Sequence, residues 1–285
     1  TASTMYGIQV PTGTVSVNDN QINNLICVKT SGTGEINGIR SVTSPNNENY
    51  NNNTIHTLTH NGTGIVYGVH TDTFTGTRTM SGNTIHNLST NGATIAGIFN
   101  NSSSPNVFGN KIYDITSFSA ATNPIVSGII QGTLGTSGTA SIYNNLIGDL
   151  KAPNANSDNC VRGINITTTT ANASIIVSYN SIFINASSIG TNFGTSGIFH
   201  TTSTTATTGN LTLRNNLVVN TSTPNGTGRI VAFRRSAGAA NNLNNYNAAS
   251  NNNLFYAGAP GPNNLIYFDG TSSAQTLADY QAGVF

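Results

Sequence analysis

The chain has 285 residues, of which only 7% are charged and 36% are apolar; its formal net charge is +1 and it contains no Trp. A near-neutral surface lacks the basic face that neutralises phosphates, which argues against nucleic acid, and no stretch approaches the roughly 18 apolar residues of a membrane span. Disorder, which goes with high net charge and unpatterned polarity, is also excluded, because the apolar residues recur at regular places.

The recurrence is set by a six-residue phrase, Asn83-Thr84-Ile85-His86-Asn87-Leu88. Copies begin at Asn20, Asn53, Asn110, Asn145, Asn180, Asn216 and Asn253, each followed two places on by a large apolar residue: Ile22, Ile55, Ile112, Ile147, Ile182, Val218 and Phe255. Steps of 27 to 37 residues mark stacked repeats. About 14 to 18 residues after each Asn comes Gly or Ala with a large apolar residue: Gly38-Ile39, Gly68-Val69, Gly97-Ile98, Gly128-Ile129, Gly163-Ile164, Gly197-Ile198, Ala232-Phe233 and, more loosely, Tyr267-Phe268. Gly7-Ile8 precedes the first full repeat. A third apolar run leads into each new Asn, as at Val15 and Val17, Met80, Val107, Ile142, Ile175 to Val177, and Leu211 and Leu213.

Three short strands per repeat, joined by Gly, Asn, Thr and Ser, predict an all-β chain folded as a right-handed parallel β-helix of about 8 coils, with one domain spanning 1–285. Leucine-rich and ankyrin repeats share the period but need helical patterns, which are absent before the last dozen residues. The recurring Asn predicts an inward ladder, each amide bonded to the backbone and to the Asn one coil away. Stretches 151–159, 167–170, 201–208 and 236–253 read as surface excursions. Thr276 to Ala282 is the one plausible helix, so 274–285 is a candidate cap. Cys27 and Cys160, about four coils apart at about 4.8 Å per coil, are some 19 Å distant, so both are expected free and buried. The start at Thr1, without Met or leader, reads as a mature form or a fragment of a longer chain.

Chemistry has few places to sit. The residues one and three places after each ladder Asn face outward. They change from polar (Gln21, Asn23, Thr54, His56, Thr84, His86, Lys111, Tyr113) to apolar (Leu146, Phe183, Leu217, Val219, Leu254, Tyr256) along the chain. The apolar strip suits a partner or sugar-stacking surface built on Tyr113, Phe183 and Tyr256, or else is covered by the loops at 201–209 and 236–253. His56 and His86, one coil apart at equivalent positions, are candidate binding residues close enough to share a metal in principle, but no carboxylate or Cys column stands beside them, so solvated surface histidines are the default and no metal is expected.

Asp114 and Asp149 share a column four places after their Asn. Their carboxylates could lie at about the 5 Å separation of a retaining glycosidase, with Lys111, Lys151 and Arg162 as base and clamp, or as counter-ions if the position is structural. The column also holds Asn24, Thr57, Asn87, Ile184, Asn220 and Ala257, which reads as a turn-capping position. Only nine Asp and Glu occur in the whole chain, and no nucleophile elbow, phosphate loop or cofactor fingerprint is present, so no cofactor is expected. If the chain is an enzyme, polysaccharide lyase or glycoside hydrolase is the class that fits. Ice binding needs one Thr column through many coils, and on the first strand only Thr54 and Thr84 supply it.

The phrases Asn83-Thr-Ile-His-Asn-Leu88, Tyr143-Asn-Asn-Leu-Ile-Gly-Asp-Leu150, Leu213-Arg-Asn-Asn-Leu-Val-Val-Asn220, Asn251-Asn-Asn-Leu-Phe-Tyr256 and Asp269-Gly-Thr followed by Gln275-Thr-Leu-Ala-Asp-Tyr280 resemble the β-helix regions of very large secreted surface proteins of Bacteroidota, many of which end in a type IX secretion sorting domain. The resemblance covers almost the whole chain and carries no catalytic residues. It implies an extracellular or cell-surface, adhesin-like or structural module that meets neighbouring domains or copies by end-to-end or lateral contact, with cell-surface glycans as possible partners. No sorting domain lies within these residues.

Overall fold

The structure is a computed structural model that describes residues 4–42, 47–72, 74–120, 123–238 and 243–284. It is a parallel β-solenoid of about eight turns with three sheets, and successive strands within each sheet come from successive coils. The ladder sheet holds the strands that follow the repeated Asn, such as Gln21–Cys27, Thr54–His60, Thr84–Thr90 and Lys111–Ser117. The glycine sheet holds Glu35–Ser41, Ile65–Thr71, Thr94–Asn100, Ile125–Gln131 and their counterparts, and the lead-in sheet runs from Val15–Asn18 to Asn210–Arg214. Among the described residues the strands pair in parallel except Ser273–Ala274, which returns antiparallel along Asn264–Phe268, and two isolated antiparallel bridges join Phe193 to Asn225 and Gly261 to Asn264.

One coil shows how the core is filled. Met80 from the lead-in sheet, Ile85 and Leu88 from the ladder sheet, and Ile95 and Ile98 from the glycine sheet are all buried in a continuous hydrophobic cluster. Each has an apolar counterpart one coil on, in register: Met80↔Val107, Ile85↔Ile112, Leu88↔Ile115, Ile95↔Val126 and Ile98↔Ile129.

The ladder forms as the recurrence predicts. Asn53 Nδ2 donates to Asn83 Oδ1 at 3.0 Å, Asn83 to Asn110 at 2.9 Å and Asn110 to Asn145 at 2.9 Å. The same linkage joins Asn20 to Asn53 and continues through Asn180 and Asn216 to Asn253. The second amide proton goes to a lead-in carbonyl of the preceding coil, as from Asn110 to Met80 O at 2.9 Å. Each Oδ1 also accepts the backbone N–H of the preceding ladder Asn, as in Asn83 N to Asn110 Oδ1 at 3.0 Å. Amides that would be costly to bury unpaired are thereby satisfied.

Every residue just before a ladder Asn has a left-handed backbone: Asp19, Asn52, Gly82, Gly109, Asn144, Tyr179, Asn215 and Asn252, with φ between 54° and 64°. Seven of these are Asp, Asn or Gly, the types that reach this region at low cost, and Tyr179 is the exception. The glycine column answers a different demand, since none of its members from Gly7 to Gly197 has a positive φ. A Cβ on Gly128 would sit 2.5 Å from Ile147 Cγ2 and 2.7 Å from Gly163 O. Glycine is there because the ladder-sheet Ile column and the next coil's backbone occupy that space.

Two stretches expected as surface excursions are partly built into the solenoid. In 151–159, Ala152 and Ala155 are buried and Ser157–Ile166 is already strand; alanine is small enough to enter the core without widening the coil. In 236–253, Tyr246 is buried and bridges to Leu211, while Asn251 bridges to Arg214, which continues the lead-in sheet by single pairs. Residues 239–242 of that stretch and residue 285 of the terminal segment lie outside the described residues.

The helix forms at Leu277–Val284. Thr276 Oγ1 accepts the N–H of Asp279 at 3.2 Å and Asp279 Oδ2 accepts that of Thr276 at 3.0 Å, a reciprocal cap. Tyr280 is buried beside Phe255 and Tyr267 and bonds to the Tyr246 hydroxyl at 2.8 Å, so the helix closes the core of the final coil. Cys27 and Cys160 are free and buried.

Candidate functional site

On the ladder sheet the residue four places after the Asn turns the strand in the first five coils, whereas Ile184, Asn220 and Ala257 in the last three have no left-handed backbone and are buried. Asn24, Thr57, Asn87, Asp114 and Asp149 all have φ between 50° and 59°. The reversal brings the fifth residue inward, as with the buried Leu58, Leu88, Ile115 and Leu150. Asp114 and Asp149 therefore occupy a turn position whose backbone selects Asp, Asn or Thr. Lys151 sits between their side chains, with Nζ 3.1 Å from Asp114 Oδ1 and 2.9 Å from Asp149 Oδ2. Burial lowers the Lys151 pKa, but the two carboxylates outweigh it and the net shift is upward. An ammonium thus fills the space where a glycosidic oxygen would lie between a glycosidase's two carboxyls.

Of the residues that sequence grouped around this pair, Lys111 stands on the same sheet, its Nζ 5.0 Å from the centre of the Tyr113 ring. Arg162 does not join them. It lies on the glycine sheet, where it donates to Asn159 O and Asn165 Oδ1 at 3.0 Å each and covers the Phe199 ring at 4.3 Å.

Three places after the ladder Asn, side chains stack up the solenoid. The rings of His56 and His86 are 5.0 Å apart and those of His86 and Tyr113 are 4.9 Å apart, tilted by 10° or less. Face-to-face imidazoles point their nitrogen lone pairs along parallel lines rather than at a common point, and His56 Nδ1 is engaged with Thr57 Oγ1 at 2.9 Å. Burial, followed by the neighbouring His56, lowers the His86 pKa. No group of three or more His, Cys, Asp or Glu able to hold a metal occurs among the described residues. The column continues through Gly148, Phe183, Val219 and Tyr256.

The apolar strip beyond is open. Leu146, Phe183, Leu217, Leu254 and Tyr256 each keep 42–53% of their accessible surface. The segments that sequence offered as a cover instead bind each other and the lead-in sheet, through Ser203 N to Asn245 Oδ1 at 3.0 Å, Asn244 Nδ2 to Thr204 O at 2.7 Å and Asn247 N to Leu211 O at 2.8 Å.

The glycine sheet's outer face gathers charges that sequence reading did not connect. Its pairing skips the glycine, so residues one before and two after that position face away from the core. Arg40 pairs with Asp72 at 2.9 Å, and His70, packed on Tyr67 and Phe99, lies 3.7 Å from Glu35. The His70 hydrogen bond outweighs burial and holds the Glu35 carboxyl below its usual range. Further along, Asp158 accepts from Arg234 at 2.8 Å and Arg229 at 3.3 Å. Burial raises the Asp158 pKa, but the arginines overcome it and the net shift is downward. Arg229 lies 4.4 Å over the Phe268 ring. Each of these acids is matched to a basic side chain, an arrangement that fixes side chains rather than one that frees a proton donor. The signal in the sequence is the residue two after each glycine: Arg40, His70, Phe99, Ile130, Asn165 and Phe199.

No protein-family model, curated protein or solved structure matches the chain. No helix among the described residues is long and apolar enough to cross a membrane.

Proposed function

We propose that the chain is a non-enzymatic extracellular β-solenoid module, a rigid spacer or adhesive segment of a large surface protein of the kind its repeats resemble in Bacteroidota. The observation that supports this is the unbroken Asn ladder from Asn20 to Asn253, which ties every coil to the next. Six of the nine acids stand beside a basic side chain, and the two aligned carboxylates among them are bridged by Lys151.

A spacer must hold its length. Spin labels at Gln21→Cys and Leu254→Cys, seven coils apart in one outward column, should give a narrow distance distribution near about 34 Å, at about 4.8 Å per coil. The native cysteines are buried and do not compete for label. A broad distribution, or one that shifts with solution conditions, would defeat the spacer reading.

The open strip favours a second reading, polysaccharide binding with Tyr113, Phe183 and Tyr256 as stacking platforms. Cleavage on the same face would use Asp114, Asp149 and Lys111. A glycan array and a polysaccharide-depletion assay decide this reading: binding lost in Phe183→Ala supports it, and turnover that survives Asp149→Asn removes the catalytic form.

A further inference from the structure

The stacked column has one missing ring. His56, His86 and Tyr113 succeed one another at about 5 Å, and Phe183 stands two coils beyond Tyr113. Between them the column residue is Gly148, so the two rings are separated by about two coil heights, near 9.6 Å. A flat ring placed midway would lie about 4.8 Å from each, inside the 4.5–7 Å centroid range of stacked aromatics. The space is real: a cavity of about 230 Å³ is lined by Lys111, Tyr113, Leu146, Gly148, Asp149 and Phe183. It is smaller than the roughly 300–1,000 Å³ of drug-sized sites, which limits the occupant to one ring or a fused pair.

The backbone conformation does not require glycine here, and the steric demand is weaker than in the core column. Gly148 has no positive φ. An added Cβ would meet only Phe183 O, at 3.2 Å, a tight contact, whereas in the core glycine column from Gly7 to Gly197 the nearest atom would lie at 2.1–2.6 Å. Glycine at 148 leaves a slot open between two rings and beside the exposed Leu146.

We propose that the Gly148 slot is a binding site for a small planar aromatic compound, which completes the stack between Tyr113 and Phe183. Aromatic chemistry is preferred to a sugar because the lining is almost entirely carbon. Lys111 and Asp149 stand only at the rim, and Asp149 is already held by Lys151, so few partners remain for a ring of hydroxyls. The site does not depend on the spacer role, since filling or emptying it leaves the Asn ladder intact.

The test uses indole as probe, because the chain contains no Trp and indole fluorescence reads without background. Wild type should bind indole saturably at low millimolar concentration. Gly148→Phe, which supplies the missing ring from the chain itself, should abolish binding while keeping the far-ultraviolet circular dichroism and melting temperature. Phe183→Ala removes one wall and should weaken binding about tenfold, the equivalent of one stacking contact. It also serves as the deciding variant if Gly148→Phe fails to fold. No saturable binding to wild type, or binding unchanged in Gly148→Phe or Phe183→Ala, overturns the proposal. So does binding of methyl glucoside in place of indole. None of these outcomes alters the spin-label distance, so failure of the slot and failure of the spacer reading are separable.

Discussion

Arg78 and Glu48 are partners across adjacent coils of the lead-in sheet, with Nε 2.7 Å from Oε2 and both side chains fully out of water. The guanidinium also donates to Ser41 Oγ and Asp72 O at 2.8 Å each, and the Tyr50 hydroxyl bonds to the same Glu48 oxygen. Burial pulls the Arg78 pKa down against the opposing pull of Glu48. Removing one partner strands a buried charge, so Arg78→Met should destabilise by about 3–5 kcal/mol in urea unfolding. The double variant Arg78→Met with Glu48→Gln should recover part of that loss. Additive losses would show that the two residues are not coupled.

The ladder makes a prediction at Asn110. Leucine there leaves the buried Met80 carbonyl, the Asn83 amide and Asn145 Oδ1 each short of a partner. At about 1–3 kcal/mol per buried group, Asn110→Leu should cost at least about 3 kcal/mol. A loss below about 1 kcal/mol would mean that water replaces the ladder.

Gly128→Ala tests whether the glycine column is steric. With Cβ driven to 2.7 Å from a backbone oxygen, the cost should reach about 3 kcal/mol, the upper end for overpacking. A merely conformational role would make the substitution neutral or mildly stabilising.

Tyr179 offers the opposite sign. It holds φ 57° where the other coils use Asp, Asn or Gly, so Tyr179→Asn or Tyr179→Gly should raise stability by about 1 kcal/mol. Its side chain is 60% exposed, so little packing is lost. An unchanged or lowered melting temperature would contradict this account.

Acid should act through His200. Burial, followed by the charge of Arg235, pushes its pKa down from 6.5 to about 3, while Nε2 donates to Gly209 O at 2.9 Å. Below pH 6.5 the unfolded chain takes up a proton that the folded chain refuses. Stability is therefore fully present above 6.5 and falls as pH drops toward 3, by about 1.4 kcal/mol per pH unit. Unfolding free energies for His200→Gln should be flatter than wild type between about pH 6 and pH 4; parallel curves would exclude His200 as the source.

The fold was legible because one column is chemically uniform. Eight asparagines with apolar partners two places on announce the period even when the loops between them vary. The left-handed residue ahead of the Asn is Asp, Asn or Gly in every coil but that of Tyr179, yet this composition reads as an ordinary loop. The glycine sheet's outer face was hidden because its column changes character at nearly every coil, from Arg40 through Phe99 to Asn165. Its strands also bend at the glycine, so simple alternation misplaces their outward residues. Arg162 was grouped with Asp114 and Asp149 for its charge, although a different sheet carries it. The empty ring position at Gly148 became visible only once Tyr113 and Phe183 were in one stack.

Every Asn-to-Asn link of the ladder runs from Nδ2 to the Oδ1 of the higher-numbered coil, and none of these links runs the other way. The solenoid is thus a polar object, with a donor end and an acceptor end. Two copies that continued each other's ladder would have to meet head to tail, since a two-fold contact would set donor against donor. A heterologous contact of that kind does not close on itself, so axial association of this chain would grow as a fibre with a direction rather than stop at a dimer.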